Sequence, residues 1–257
     1  MTFCEMICPE NERPLEKMAV DGGFVGIFRT IACVGDSLSS GEFESVDEQG
    51  VKHYHDMFDY SWGQFIARAA GCRVYNFSRG GMSAKQYCES FAEEMGYWNR
   101  ELAAQAYIVA LGVNDIMNAH QEPGTMADVD FSDWRNNGQS FIGYYAQIIQ
   151  RYKEIQPEAK FFLMTPPKGD NETRNADGEL VRQCVLQLAA AFDNCYVLDF
   201  GEYAPVHDAP FREMFYLGGH LNPCGYILTA KQVMSYMDYI IRHNMGDFRE
   251  VGFIGRS

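Results

Sequence analysis

Four positions spread along the chain have the groups that acyl transfer requires. The hydroxyl of Ser37, in the stretch Gly35-Asp36-Ser37-Leu38, could attack a carbonyl carbon. His220, a residue type with an ordinary pKa of about 6.5, could accept the hydroxyl proton and later protonate the leaving alcohol. The N–H groups of Ser37 and Gly81 and the side-chain amide of Asn114 could donate to the oxyanion of a tetrahedral intermediate. Taken singly, Ser37 fits a turn, Asn114 a helix cap and His220 a loop, so the chemistry depends on whether the fold brings them together.

Each of the four positions lies in a loop after an apolar run of the kind that forms a strand buried on both faces. The predicted strands cover residues 31–34, 72–77, 106–111, 159–164 and 195–199. Helical patterns alternate with them over residues 61–71, 83–95, 138–155, 173–192 and 225–243. Residues 42–59 show no clear period, and we predict that they form an irregular excursion near the site. Alternating strands and helices predict a parallel five-stranded sheet in a three-layer α/β/α fold, with these loops at one edge of the sheet.

Four sequence blocks carry a family resemblance. In order and spacing they are similar to the motif blocks of the SGNH hydrolases, the GDSL-type esterases and lipases, over roughly residues 31–243: Gly35-Asp36-Ser37-Leu38, Asn76 to Gly81, Gly112-Val113-Asn114-Asp115 and His220-Leu221-Asn222-Pro223. The resemblance implies a flavodoxin-like sheet and ester hydrolysis with Ser37, Gly81, Asn114 and His220 in the roles given above. The Gly-x-Ser-x-Gly elbow of the α/β-hydrolases is not found.

The chain departs from this family at one position. The family usually has an aspartate three residues before the histidine, where it orients the imidazole, and here that residue is Leu217. We therefore predict a Ser37–His220 dyad in which a main-chain carbonyl or a water accepts the other ring N–H. The alternative is that a carboxylate such as Glu213 or Asp208 folds back toward His220 and accepts this N–H.

The remaining polar residues near these blocks have weaker signals. Asp36 and Asp115 are expected to hold their loops as hydrogen-bond acceptors rather than to act as acids. The His53-Tyr54-His55-Asp56 run could be interpreted as a metal cluster, but its spacing is common by chance, and we expect no metal and no cofactor. Side chains that could line the pocket for the acyl or alcohol group are His53, Tyr54, Tyr60 and Trp62.

Composition excludes several classes of function. The net charge of −14 argues against a nonspecific nucleic-acid binder, and no apolar run approaches the length of a membrane span. The eight cysteines are scattered at positions 4, 8, 33, 72, 88, 184, 195 and 224, which favours reduced thiols over a disulfide framework. Because no signal peptide is visible, we expect a cytoplasmic protein.

No composition break divides the chain, so residues 1–257 are expected to form one domain, with a core over about 24–243 and an extension at each end. The predicted function is that of a serine esterase that hydrolyses small acyl esters, such as acetyl esters, including those on carbohydrates, through an acyl-Ser37 intermediate. Two alternatives stay open: an acyltransferase that uses the same site, and a degenerate member that binds acyl or glycan ligands without turnover. The predicted partner is a small-molecule or carbohydrate ester, and the oligomeric state is not predicted.

Overall fold

The computed structural model describes residues 3–255. Its strands are β1 (Thr30–Gly35), β2 (Glu42–Val46), β3 (Lys52–Asp56), β4 (Arg73–Ser78), β5 (Ala106–Ala110), β6 (Lys160–Met164), β7 (Cys195–Leu198), β8 (Tyr216–Leu217) and β9 (His220–Leu221). Its α-helices are α1 (Phe3–Ile7), α2 (Ser37–Ser40), α3 (Trp62–Ala70), α4 (Ala84–Gln86), α5 (Ala92–Glu94), α6 (Phe141–Ile155), α7 (Glu172–Ala191), α8 (Phe200–Tyr203), α9 (Ala209–Phe215) and α10 (Pro223–His243). Short 3₁₀ turns and two π-helical turns connect them.

Five parallel strands form the central sheet in the order β4-β1-β5-β6-β7. The predicted fold class, a three-layer α/β/α sheet, is confirmed. The last residue of β1, Gly35, pairs with Ser78 on one side and with Ala110 on the other. Because these three strands end level with one another, the loops that follow them leave the sheet side by side.

The sheet is covered by helices on both faces. One apolar layer packs α6, α7 and the segment from α4 to α5 against the sheet, and the other packs α3, α10 and the 3₁₀ turn Gly23–Ile27. Residues 31–34 of β1 are fully buried, as the continuous apolar run predicts for a strand covered on both sides. The strand that precedes Ser37 is therefore held from both faces.

Side-chain caps fix where the long helices begin. Ser61 accepts a hydrogen bond from the N–H of Gln64 at the start of α3, and Asn171 does the same for Arg174 at the start of α7. The helix predicted to begin near residue 138 begins at Phe141, because Ser140 is its cap. The helix predicted over residues 83–95 is interrupted by a π-helical turn, Tyr87–Phe91, between α4 and α5.

The segment after the Ser37 loop is regular, and the prediction of an irregular excursion over residues 42–59 is wrong. Strands β2 and β3 form an antiparallel hairpin in which Glu42 pairs with Asp56 and Val46 with Lys52. Every residue of β3 is exposed, so the sequence lacks the apolar alternation that normally reveals a strand. This hairpin lies outside the central sheet and packs against the short β8–β9 hairpin.

Within residues 3–255 no helix is both long enough and apolar enough to span a lipid bilayer.

Candidate active site

Ser37 is separated from β1 by one residue, Asp36, and begins α2. The side chain of Asp36 caps α2 by accepting a hydrogen bond from the N–H of Leu38 (3.1 Å), so Ser37 is the first residue of the helix. A side chain at Gly35 would collide with the Cβ and hydroxyl of Ser39, which explains the glycine before the turn. Burial raises the pKa of Asp36 to about 7.

The four predicted positions meet at one cleft of about 830 Å³. Ser37, Gly81, Asn114 and His220 all line this cleft, together with Asp36. The strand register explains the convergence of the first three, because the strands before them end at the same level of the sheet. His220 reaches the cleft from β9, on the short hairpin that precedes α10.

Two residues that line the cleft have main-chain N–H groups without an acceptor among the described residues. Gly81 has a φ of 71°, which places it in the left-handed region, and open space surrounds the point where a Cβ would be. Within the described part of the chain, neither the N–H of Gly81 nor that of Ser37 donates to another protein group. Both donors are therefore available for an anionic oxygen.

The side chain of Asn114 is fixed at both of its polar atoms. Its Nδ2 donates to the carbonyl of Met82 (3.0 Å), and its Oδ1 accepts from Asn118 (2.7 Å). An amide nitrogen carries two hydrogens, so one N–H of Asn114 is left for a ligand in the cleft. The amide is thus oriented before any substrate arrives.

Asp115 lies behind the cleft and is fully buried. Its two carboxylate oxygens accept from the N–H of Ala84 (2.9 and 3.0 Å), and one also accepts from Lys85 (3.4 Å). Burial raises its pKa to about 6 despite these hydrogen bonds. The carboxyl joins the Asn114 turn to the start of α4, close to Gly81, as expected for a loop-holding acceptor.

The loop that carries His220 is anchored on both sides. After it, Asn222 caps α10 by accepting from the N–H of Gly225 (2.9 Å), and its amide donates to the carbonyl of Met214 (2.8 Å). Pro223 occupies the first turn of the helix, where its missing N–H costs nothing. A Cβ at Gly225 would overlap the carbonyl of Phe215, so this sequence block fixes how the hairpin meets the helix.

The ring nitrogens of His220 face two glutamates of β2. Nε2 lies 3.0 Å from Oε1 of Glu42, and Nδ1 lies 3.9 Å from Oε2 of Glu44. Nδ1 is buried and has no hydrogen-bond partner in the described part of the chain. Burial lowers the pKa of His220, which favours the neutral ring that a general base requires.

Within residues 3–255, Nδ1 of His220 has neither a main-chain carbonyl nor one of the two alternative carboxylates as a hydrogen-bond partner. Asp208 caps α9 by accepting from Phe211, and Glu213 is exposed outside the cleft. Sequence reasoning missed Glu42 and Glu44, although their i, i+2 spacing would place both on one face of a strand.

Of the other side chains expected to line the pocket, only Tyr54 does so, with its ring edge-on to His220 at a centroid distance of 5.8 Å. Trp62 is fully buried in the core, while His53 and Tyr60 lie outside the cleft. His53 contacts Asp47 (2.8 Å) and His55 contacts Ser45 (2.9 Å). Residues 3–255 contain no group of three or more His, Cys, Asp or Glu side chains arranged to hold a metal ion.

One part of the cleft lining is rich in hydrogen-bonding groups. It comes from the segment between Pro166 and Asn175 and from Arg212 of α9, and its polar side chains include Lys168, Asn171, Arg174 and Arg212. Arg212 stacks over the ring of Tyr216, with its guanidinium carbon 4.3 Å from the ring centroid. This part of the lining can hydrogen-bond a polar ligand at several points.

The sequence matches the model of the GDSL-like lipase/acylhydrolase family over residues 33–228. No curated protein matches the chain. Among solved structures, it is similar to a family two carbohydrate esterase from Clostridium thermocellum in complex with cellohexaose (TM-score 0.59, 16% identity, 92% of this chain and 66% of that one). It is also similar to a Clostridium thermocellum family 3 carbohydrate esterase (0.55, 15%, 83% and 97%) and to a Corynascus carbohydrate esterase family 2 enzyme with a carbohydrate-binding domain (0.53, 16%, 85% and 67%). At these identities the structural likeness shows the fold.

Proposed function

Because the chain belongs to the GDSL-like lipase/acylhydrolase family, we propose that it is a serine esterase that removes small acyl groups, such as acetyl, from carbohydrate esters through an acyl-Ser37 intermediate. The observation that carries the proposal is the meeting of Ser37, His220 and three unengaged donors in one cleft. Those donors are the N–H groups of Ser37 and Gly81 and the second N–H of Asn114. No metal or cofactor takes part in the proposed reaction.

The proposed reaction has two halves. The Ser37 oxygen attacks the ester carbon while Nε2 of His220 takes the hydroxyl proton, and the three donors stabilise the oxyanion. The C–O bond to the alcohol then breaks, and the alcohol leaves with the proton from His220. A water attacks acyl-Ser37 in the same way and releases the acid. For Nε2 to reach Ser37, the Glu42 carboxyl must turn away from the ring.

The lining of the cleft supports a polar alcohol over a long acyl chain. The lining of the cleft includes the amide of Asn171 and the cations Lys168, Arg174 and Arg212. Such groups suit hydroxyl-rich sugars, whereas a long hydrocarbon chain would leave them without partners. The solved carbohydrate esterases with the same fold agree with this choice of substrate.

The test compares wild type, Ser37→Ala and Ser90→Ala on p-nitrophenyl acetate and on an acetylated xylooligosaccharide. Ser90 is an exposed serine whose hydroxyl bonds the carbonyl of Gln86 and which does not line the cleft, so it serves as the matched control. We expect Ser37→Ala to abolish release of p-nitrophenol and acetate, and Ser90→Ala to match wild type. Mass spectrometry of quenched wild-type enzyme should show one added acetyl group.

Other outcomes would select the alternatives. If wild type and Ser37→Ala were equally inert while the oligosaccharide still bound, the chain would be a binding protein and the proposal would fail. If acetyl groups appeared on an added sugar acceptor faster than free acetate appeared, the enzyme would be an acyltransferase that uses the same residues.

A further inference from the structure

The residue that should orient His220 in this family is absent from its usual place. Leu217 occupies that position, pairs with His220 across the β8–β9 hairpin, and leaves 52% of its surface exposed. A leucine side chain cannot accept a hydrogen bond. The buried Nδ1 of His220 therefore needs an acceptor from elsewhere in the fold, because an unpaired buried donor is costly.

The carboxylate of Glu44 faces that nitrogen. Its side chain is only 4% exposed, and Oε2 lies 3.9 Å from Nδ1. Lys52 holds Oε1 at 2.7 Å, and the N–H of Gly219 donates to Oε2 at 3.0 Å. Glu44 is thus fixed by two partners, one of which is the residue immediately before His220.

The two glycines before His220 provide the space for this carboxylate. A Cβ at Gly218 would lie 2.6 Å from Oε1 of Glu44, and a Cβ at Gly219 would lie 3.0 Å from Oε2. Gly218 also has a φ of 66°, which side chains rarely adopt. The Leu217-Gly218-Gly219-His220 turn therefore lacks side chains where the carboxylate of Glu44 packs.

We propose that Glu44, supplied by the β2–β3 hairpin, is the positioning residue for His220 and replaces the aspartate that the family places three residues before the histidine. This inference rests on the proposed function. The carboxylate accepts the Nδ1–H, which leaves Nε2 unprotonated toward Ser37, and it stabilises the imidazolium that forms when the Ser37 proton is transferred. The distance of 3.9 Å closes by about 1 Å to a hydrogen bond when substrate binds, as catalytic hydrogen bonds often tighten in the complex.

Glu42 is the competing carboxylate, and the geometry separates the two. Glu42 faces Nε2, the nitrogen that must meet Ser37, and its own pKa is raised by burial and by the neighbouring Asp56 and Glu44. Hydrogen bonds from Lys52 and Gly219 instead lower the pKa of Glu44, so it stays ionised at neutral pH. An ionised acceptor at Nδ1 is what the orienting role requires.

The charged groups around His220 predict that Glu44→Gln and Lys52→Met shift the pH dependence of kcat/KM in opposite directions. Glu42 and Glu44 of β2 face the ring, the charges of Lys52 and Asp56 of β3 act on it, and Asp36 lines the same cleft. Glu44 and Asp56 raise the pKa of His220, whereas Lys52 lowers it. Glu44→Gln should move the acid limb of kcat/KM to lower pH, and Lys52→Met should move it to higher pH.

The experiment measures pH profiles of p-nitrophenyl acetate hydrolysis for wild type, Glu44→Gln, Lys52→Met, Glu42→Gln and Asp47→Asn. We expect Glu44→Gln to lower the plateau of kcat on the order of 10²- to 10⁴-fold, as loss of a triad carboxylate does, with little change in KM. Asp47 accepts from Val51 and His53 in the turn of the same hairpin, so its variant reports hairpin loosening alone. It should leave the acid limb in place.

Three results would overturn the assignment. One is a Glu44→Gln enzyme with wild-type kcat. Another is a Glu44→Gln enzyme that loses kcat without a shift of the acid limb, if Asp47→Asn shows the same loss. Glu44 would then have a merely structural role. The third is a loss confined to Glu42→Gln, which would give the role to Glu42. In each case Ser37→Ala stays inactive if the proposed function holds, whereas an active Ser37→Ala would refute the function itself. Circular dichroism melts confirm that each variant is folded.

Discussion

The carboxyl of Asp36, which caps α2 just before Ser37, should make the protein less stable as the pH rises. Asp36 is buried and its pKa is raised from 3.8 to about 7, chiefly by desolvation and further by Asp115 and Glu42. Between pH 4 and 7 the folded protein therefore holds a proton that the unfolded chain has lost. Stability falls with increasing pH wherever the folded state binds more protons, so the contribution of Asp36 to the free energy of unfolding declines across this window.

The substitution Asp36→Asn removes this penalty and keeps the cap, because asparagine accepts from Leu38 as well as aspartate does. The pKa of Asp36 rises from 3.8 to about 7 on folding, and about 1.36 kcal/mol for each pH unit gives a gain in free energy of unfolding of at most about 4 kcal/mol for the variant. The full gain is reached above pH 7. The variant should match wild type at pH 4 and exceed its free energy of unfolding at pH 8. Asp115, whose raised pKa acts in the same direction, is present in both proteins and cancels from the comparison.

The assay is urea unfolding followed by circular dichroism at pH 4, 6 and 8. Asp130→Asn is the control of opposite sign: hydrogen bonds from Ser132 and Asn136 lower the pKa of Asp130 to about 2, so its ionised form stabilises the folded chain above pH 4. That variant should be less stable than wild type at pH 8. The reasoning is refuted if the difference between Asp36→Asn and wild type is independent of pH, or if it shrinks toward pH 8.

Three further changes test the site and its supports. Asn114→Ala should reduce kcat on p-nitrophenyl acetate on the order of 10²–10³-fold, because it removes one of the three proposed oxyanion donors, and a loss below tenfold would contradict that role. Gly112→Ala should lower the free energy of unfolding by about 1–3 kcal/mol in urea titrations, since its φ is 126° and a Cβ would lie 2.6 Å from Val181; an unchanged midpoint would contradict this. Tyr226→Phe should cost about 1 kcal/mol by the same measurement, because it removes the hydrogen bond to the carbonyl of Glu42 (2.7 Å), and no cost would mean that β2 is held by other contacts.

The sequence alone predicted the central sheet and the loops at its edge that carry Ser37, Gly81 and Asn114. The apolar run before Gly35 and the one over residues 106–110 could be recognised because strands buried on both faces need apolar residues at every position. Caps such as Ser61 and Asn222 are local signals, since they bond main-chain groups only three residues away. Strand runs and helix caps of this kind can be recognised from a few neighbouring residues.

Only the tertiary structure decided what surrounds His220. Glu44 and Gly219 are 175 residues apart, and no local pattern in either segment refers to the other. The hairpin that carries Glu44 has an exposed second strand, so its sequence shows charge rather than alternation and conceals a strand. Trp62 was expected in the pocket but lies in the core, because a tryptophan near a functional loop does not reveal which way its side chain points. The partners of the imidazole are determined by contacts between segments that are distant in the sequence. They could not be predicted from the residue types and spacing within any one segment.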